Sequence, residues 1–190
     1  MENIIIGFAG KKQSGKTTAV NIIKERFKDR VIILNFGDAV KESLRPIFHF
    51  TDEELYGDKK EVINEFWGIT PRNIMQFFAT ELMRQQISDK YKNIGGNIWV
   101  LSLEYQIKQI TDKNKIILIG DLRFKNEYDM IKKYNGLTVR INKDIKDNEF
   151  SNHISEHDLD NSDFDYEIEN NESMETYKTK IIDLISKIIK

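Results

Sequence analysis

No cysteine occurs among the 190 residues. That removes disulfides and thiolate metal sites, and it fits a protein of a reducing intracellular compartment. Proline is nearly absent too, with Pro46 and Pro71 alone, and no tract is repeated or low in complexity. No apolar run approaches the length needed to span a bilayer. The chain enters an apolar strand at about its third residue, so no signal peptide is expected. A cytoplasmic protein without a membrane partner is therefore expected. Charge of one sign is also missing: the formal net charge of −2 gives no polybasic signature, so coating of nucleic acid has no electrostatic support. Arginine is scarce, with seven against 22 lysines. Arg26 and Arg30 sit at the end of a predicted helix, whereas Arg45, Arg72, Arg84, Arg123 and Arg140 fall beside motif-like stretches. In a chain that otherwise uses lysine, those five point to a need for a rigid bidentate fork, which suits phosphate. What is present suffices for one globular domain: 39% apolar and 11% aromatic residues supply a core, and 32% charged residues a solvated surface.

The stretch that organises the rest is Asn3 to Thr18. Ile4 to Ala9 is a short apolar strand running directly into Gly10-Lys11-Lys12-Gln13-Ser14-Gly15-Lys16-Thr17, which fits G-x-x-x-x-G-K-[ST]. Gly10 and Gly15 let the backbone wrap closely enough for successive N–H groups to face an anion. Lys16 supplies a cation for the β- and γ-phosphates, and the Thr17 hydroxyl is a ligand for Mg²⁺. The helix that follows, carrying Ala19, Val20, Ile22, Ile23 and Phe27 at helical spacing, offers its positive end to the same anion. Strand before and amphipathic helix after are the context this motif requires. A nucleoside triphosphate is the expected ligand, with Gly10, Lys12, Ser14, Gly15, Lys16, Thr17 and Thr18 around it.

Val31 to Phe36 is a continuous apolar run and reads as a buried parallel strand, so the chain opens β–loop–α–β, the start of a doubly wound α/β fold. Gly37 to Lys41 follows the carboxyl end of that strand, where open α/β sheets bind ligands, so Asp38 and Lys41 are placed to meet one. Capping of the next helix is an equally ordinary task for Asp38. Residues 51–70 read as a short surface helix and a loop. Thr70-Pro71 is a helix start, and the spacing predicts a helix to about Asp89 with Ile74, Phe77, Phe78 and Leu82 on its buried side. Arg72, Gln76, Thr80 and Arg84 lie four apart on that helix, a hydrogen-bonding stripe better suited to a phosphate and a base than to bulk water. A helix over Ile98 to Ile110 precedes the buried strand Lys115 to Gly120, which ends in Asp121. An aspartate there is the usual second acidic partner of Mg²⁺ in this class of loop protein. Leu137 to Ile141 is a fourth strand with Arg140 near its end, residues 142–162 read as a lid-like loop, and Phe164 to Ile168 is a fifth, edge strand. A last helix buries Met174, Tyr177, Ile181, Ile185 and Ile188.

The loop alone does not separate kinases, GTPases and motors. A GTPase carries N-K-x-D, but Asn142-Lys143-Asp144-Ile145 has isoleucine where the base-reading aspartate belongs, and a motor ATPase is normally larger. Several stretches then resemble the phage and viral deoxynucleoside monophosphate kinases. They are GKKQSGKTT, FGDAVKESL, LYGDKKEVINEFWGITPRNIMQFFATELMRQ, IWV around Trp99, DLRFKNEYDMIKKYNGLTVRI, and HISEHDL from His153. The most specific pieces are Asp121-x-Arg123-Phe124-x-Asn126-Glu127 and His153-x-Ser155-Glu156. Ala79 departs from the glycine expected in that position, and Lys125 from a frequent proline.

The resemblance implies a three-layer α/β fold of about five mostly parallel strands, with a helical acceptor-binding insert over about 38–97 and a lid over 142–162. It implies transfer of a phosphoryl group from ATP to a deoxynucleoside monophosphate with Mg²⁺ held by Thr17 and Asp121. Lys16, Asp121 and Arg123 would carry the chemistry, and Arg140 would contact the donor. Asp38, Lys41, Arg72, Gln76, Thr80, Glu81, Arg84, Arg123 and Glu127 would serve the acceptor, and His153 with Glu156 would act in the lid. Phage-type members make a homodimer the expected assembly. The alternatives are another small-molecule kinase resembling phosphomevalonate kinase, and a regulatory protein that holds ATP without turnover.

Overall fold

The computed structural model describes residues 2–144 and 157–189. In chain order its main elements are β1 (Ile4–Ala9), α1 (Lys16–Phe27), β2 (Val31–Leu34), α2 (Asp38–Phe48), α3 (Asp52–Leu55), α4 (Pro71–Gln76), a π-helical segment (Phe77–Gln86), α5 (Ile87–Lys90), α6 (Ile98–Gln109), β3 (Ile116–Leu122), α7 (Lys125–Lys133), β4 (Leu137–Asn142), β5 (Tyr166–Glu169) and α8 (Met174–Ile188). They fall into two compact units, one made of Met1–Asn35 with Lys108–Lys190, the other of Phe36–Ile107.

The first unit is built on a sheet that, among the described residues, has five strands in the order β2-β3-β1-β4-β5, every pairing parallel. Alternation along the strands divides their side chains between two faces. Ile6, Phe8, Ile116, Leu118, Val139, Ile141 and Ile168 share one apolar cluster with Ala19 and Ile23 of α1 and Tyr177, Ile181 and Ile185 of α8. On the other face Ile131 of α7 fills the open space over Gly7. Helices therefore cover both faces, which is why IILI of β3 is a continuous apolar run rather than an alternating one. VIIL of β2, predicted as a buried strand, is parallel but only half-buried, because β2 lies at the sheet edge opposite β5. β5 is the edge strand that the sequence predicts. Met174, expected in the buried face of α8, is instead 63% exposed, because the helix begins there: Ser173 caps it by accepting the Thr176 N–H at 3.2 Å.

The pairing of β1 with β3 contains an irregularity. Gly7 pairs with Ile119, but Ala9 pairs with Leu122, so Gly120 and Asp121 together oppose the single residue Phe8. Such a bulge bends a strand and re-aims a side chain, and here the affected residue is Asp121. The strand also runs two residues beyond its predicted end at Gly120.

The second unit is helical. Thr70 caps α4 by accepting the Asn73 N–H at 3.2 Å, with Pro71 in the first turn, as predicted. The helix then changes winding over Phe77–Gln86. Ile74, Met75, Phe78, Ala79 and Met83 pack against Val40, Leu44 and Trp99, and the Trp99 indole N–H donates to the Ala79 carbonyl at 3.1 Å. Within the segment, Phe78 and Met83, five residues apart, share this cluster, as i→i+5 winding allows. This corrects the predicted buried side: Phe77 is 41% exposed, because the wider turn rotates it away from Trp99. The Ala79 methyl faces this interior, and the position needs no glycine.

Candidate active site

The phosphate loop is shaped by its backbone. Gly10 has φ of 145° and Gly15 of 109°, conformations that L-residues with a Cβ avoid. Space is as restrictive as conformation. A Cβ on Gly10 would lie 2.4 Å from the Ile141 carbonyl oxygen, and one on Gly15 2.5 Å from Asn170 Nδ2. The Ser14 N–H closes a turn onto the Lys11 carbonyl at 3.1 Å. Lys16 is 8% exposed, and its ammonium donates to the carbonyls of Gly10 at 2.5 Å and Lys11 at 2.8 Å. Lys12 and Thr18 are half-buried at the loop's margins, and Thr17 is exposed in the first turn of α1. That turn has no acidic residue and no side-chain cap, so the positive helix end remains available to an anion. Ser14 Oγ is buried with no hydrogen-bond partner. A buried polar atom is normally satisfied; here the unmet atom lies inside a loop shaped for phosphate oxygens, which fits a triphosphate.

Beside the loop is a cleft of about 370 Å³ lined by Gly10, Lys11, Arg123, Arg140, Asn142 and Lys143, with the carboxylates Asp144 and Asp160. It opens at the carboxyl ends of β1, β3 and β4, where open α/β sheets bind ligands. Four cationic side chains against two carboxylates leave the lining positive, as a polyanionic ligand requires. Arg140 is held low in this wall: its guanidinium donates to the Leu159 carbonyl at 2.6 Å, lies 3.9 Å from Asp160 Oδ1, and stacks 4.6 Å from the Phe164 ring centroid. Asp121 is half-buried one residue before the cleft-lining Leu122. Among the described residues no three acidic or histidine side chains form a metal cluster. Mg²⁺ is commonly bound through one or two carboxylates with substrate phosphates and water completing its shell, so Thr17 and Asp121 are a fitting donor set.

Glu127, expected on the substrate side, has a different observed task. It is 2% exposed, and its Oε2 accepts the N–H groups of Arg123 at 3.0 Å and Phe124 at 3.2 Å. It thereby fixes the turn that carries Arg123 into the cleft.

In the helical unit, Gln76, Thr80 and Glu81 are exposed together on the side of the helix opposite Trp99, with Arg84 half-buried. Groups four apart drift one way in an α-helix and the other way in the wider π winding. The π segment therefore straightens the Arg72–Gln76–Thr80–Arg84 stripe. Arg72 is paired with Glu61, Nε and Nη2 both 2.9 Å from its Oε1. Asp38 lies in the first turn of α2, 3.5 Å from the Lys41 ammonium, while Gly37 holds the cap position without a side-chain bond. The capping alternative for Asp38 is therefore not what the structure shows. Lys41 also stacks 4.2 Å from the Tyr56 ring centroid.

A family model described as deoxynucleotide monophosphate kinase matches residues 35–181. The chain belongs to the deoxynucleotide monophosphate kinase family. It is 30% identical over 188 residues to a protein of Acanthamoeba polyphaga mimivirus that carries the same description, with 96% of each chain covered. Among solved structures it is similar to dephospho-CoA kinase from Campylobacter jejuni, with a TM-score of 0.53, 13% identity, and 98% and 97% of the two chains covered. It is also similar to shikimate kinase from Bacteroides thetaiotaomicron, with a TM-score of 0.51, 14% identity, and 96% and 98% covered. At those identities the likeness shows the fold alone, a phosphate-loop kinase fold with a parallel sheet between helices. Membership of the family makes the chain a nucleotide kinase, an ATP-dependent phosphotransferase acting on small-molecule nucleotides. No helix among the described residues is long and apolar enough to cross a membrane.

Two residues at the loop escape any reading of the motif. Asn170 Nδ2 donates to the Ser14 carbonyl at 2.8 Å, and Tyr177 Oη donates to the Gly15 carbonyl at 3.0 Å. Tyr177 is 1% exposed, and burial pushes its hydroxyl pKa up. The available signal is that a tyrosine stands in an otherwise isoleucine face, and a buried tyrosine hydroxyl usually has a partner. His153 and Glu156, expected in the lid, lie outside the described residues.

Proposed function

We propose that the chain transfers the γ-phosphoryl group of ATP to a deoxynucleoside monophosphate, giving ADP and the deoxynucleoside diphosphate. The observation that carries this reading is the cleft with a positive lining beside a loop whose only buried unpartnered side-chain atom, among the described residues, is Ser14 Oγ. Phosphoryl transfer needs positioning and charge neutralisation, not a covalent protein intermediate.

In this reading the amides of Gly10 to Lys16 hold the donor phosphates, and the Lys16 ammonium exchanges loop carbonyls for phosphate oxygens. Arg123, fixed by Glu127, neutralises charge developing on the transferred group. Arg140 and Lys143 contribute to the donor side of the cleft. Thr17 and Asp121 would hold Mg²⁺, which when bound neutralises and orients the phosphates. Asp38, Lys41, Arg72, Gln76, Thr80, Glu81 and Arg84 are the groups we assign to the acceptor nucleotide, Arg72 on release from Glu61. An acceptor phosphate is already anionic at neutral pH, so no general base such as His153 is needed. The accompanying assembly is a homodimer, checked by light scattering for twice the 22.4 kDa chain mass.

A screen with γ-labelled ATP against the deoxy- and ribonucleoside monophosphates and phosphomevalonate tests the reading. Label should enter at least one deoxynucleoside diphosphate. Label in phosphomevalonate alone would replace the acceptor class, and label in no acceptor would remove the kinase reaction.

A further inference from the structure

We propose that Asn170 and Tyr177, about 160 residues from the loop in sequence, are positioning residues that orient its phosphate-binding amides. The inference rests on the reading of Gly10–Thr17 as a triphosphate cradle. A peptide unit is planar and trans, so its carbonyl and the following N–H point in opposite directions. Asn170 Nδ2 holds the Ser14 carbonyl at 2.8 Å, which aims the Gly15 N–H the other way. Tyr177 Oη holds the Gly15 carbonyl at 3.0 Å, which does the same for the Lys16 N–H. The Gly15 carbonyl also accepts the Ala19 N–H at 2.9 Å, so the hydroxyl adds a second anchor to a group already tied into α1. Those two amides are among the donors that a phosphate loop turns toward its ligand.

The brace is itself anchored. The Asn170 backbone N–H donates to the Asn142 carbonyl at 2.8 Å, at the end of β4 that lines the cleft. Tyr177 is fixed in the cluster that joins α8 to α1 and the sheet. Glycine at position 15 is required by this contact as well as by its backbone, since a Cβ there would lie 3.2 Å from Tyr177 Oη and 2.5 Å from Asn170 Nδ2. Pre-set donors lower the cost of ordering the loop around the phosphates, so loss of the brace should weaken ATP more than the acceptor.

The test uses the full chain with Tyr177→Phe, Asn170→Ala and the double variant. Calorimetric titration with MgATP and steady-state kinetics are both run well below the melting temperature. Tyr177→Phe keeps the ring in the core and removes one hydrogen bond, so MgATP Kd should rise about tenfold, the scale of one such bond to a functional group. The double variant should rise further, with KM for the monophosphate unchanged and faster amide exchange at Gly15 and Lys16. Unaltered MgATP affinity in the double variant would overturn the brace while wild-type turnover kept the kinase reading intact. Equal losses for ATP and monophosphate would also overturn it, as a general loss of structure. Failure of wild type to bind MgATP would instead remove the underlying reading.

Discussion

At the scale of single residues, the loop depends on positions where backbone shape and space coincide. Gly10→Ala places a methyl group against the Ile141 carbonyl in a left-handed region. Strain of this kind costs about 1–3 kcal/mol, so affinity for MgATP should fall about tenfold or more, measured by titration. Arg123 faces a different demand. Its turn is pinned by Glu127, and in the proposed reaction its charge acts on the transferred group. Arg123→Ala should therefore lower kcat by about 10²–10³ while MgATP Kd changes less than about threefold. Equal losses in both would move Arg123 to donor binding.

At the scale of elements, parallel strands were the most legible part of the chain. KIILIG forms a strand buried on both faces, so its apolar run carries little ambiguity, whereas VIILNF looks the same in sequence but forms a half-buried edge strand. The bulge at Gly120–Asp121 was not legible, because register belongs to two strands and not to one. The π winding of Phe77–Gln86 is hidden for a related reason: a 3.6-residue period places Phe77 on the buried side, while the observed winding is wider and leaves it exposed. The phosphate loop is legible from a local motif, whereas Asn170 and Tyr177, which hydrogen-bond to its carbonyls, lie far along the chain. α2 and its neighbour α3 carry a pH-dependent contact that sequence spacing also left unseen. Arg45, and then Tyr56, donate hydrogen bonds to Glu42 and pull its pKa from 4.5 to about 2. A pKa depressed by folding means stability fully present above about pH 4.5 and lost as pH falls toward 2. Glu42→Gln should thus melt below wild type at pH 7, with the gap closing at pH 2 and shrinking in high salt, as read by thermal denaturation.

At the scale of the whole molecule, the two units divide the proposed work. The sheet unit carries the loop, Asp121, Arg123 and Arg140, and the helical unit carries Asp38, Lys41 and the Arg72–Arg84 stripe. Gln76→Ala and Arg84→Ala should raise KM for the deoxynucleoside monophosphate by about tenfold each, the scale of a lost charged or polar contact, and leave MgATP Kd unchanged. Raised MgATP Kd in these variants would reassign the stripe to the donor. Product stoichiometry reads directly where the phosphoryl group goes. Purified enzyme, MgATP and the preferred monophosphate are incubated and the products quantified by ³¹P NMR. ADP and deoxynucleoside diphosphate are expected in equal amounts, with none formed by Lys16→Ala. ADP accompanied by inorganic phosphate and no diphosphate of the acceptor would contradict transfer to a nucleotide.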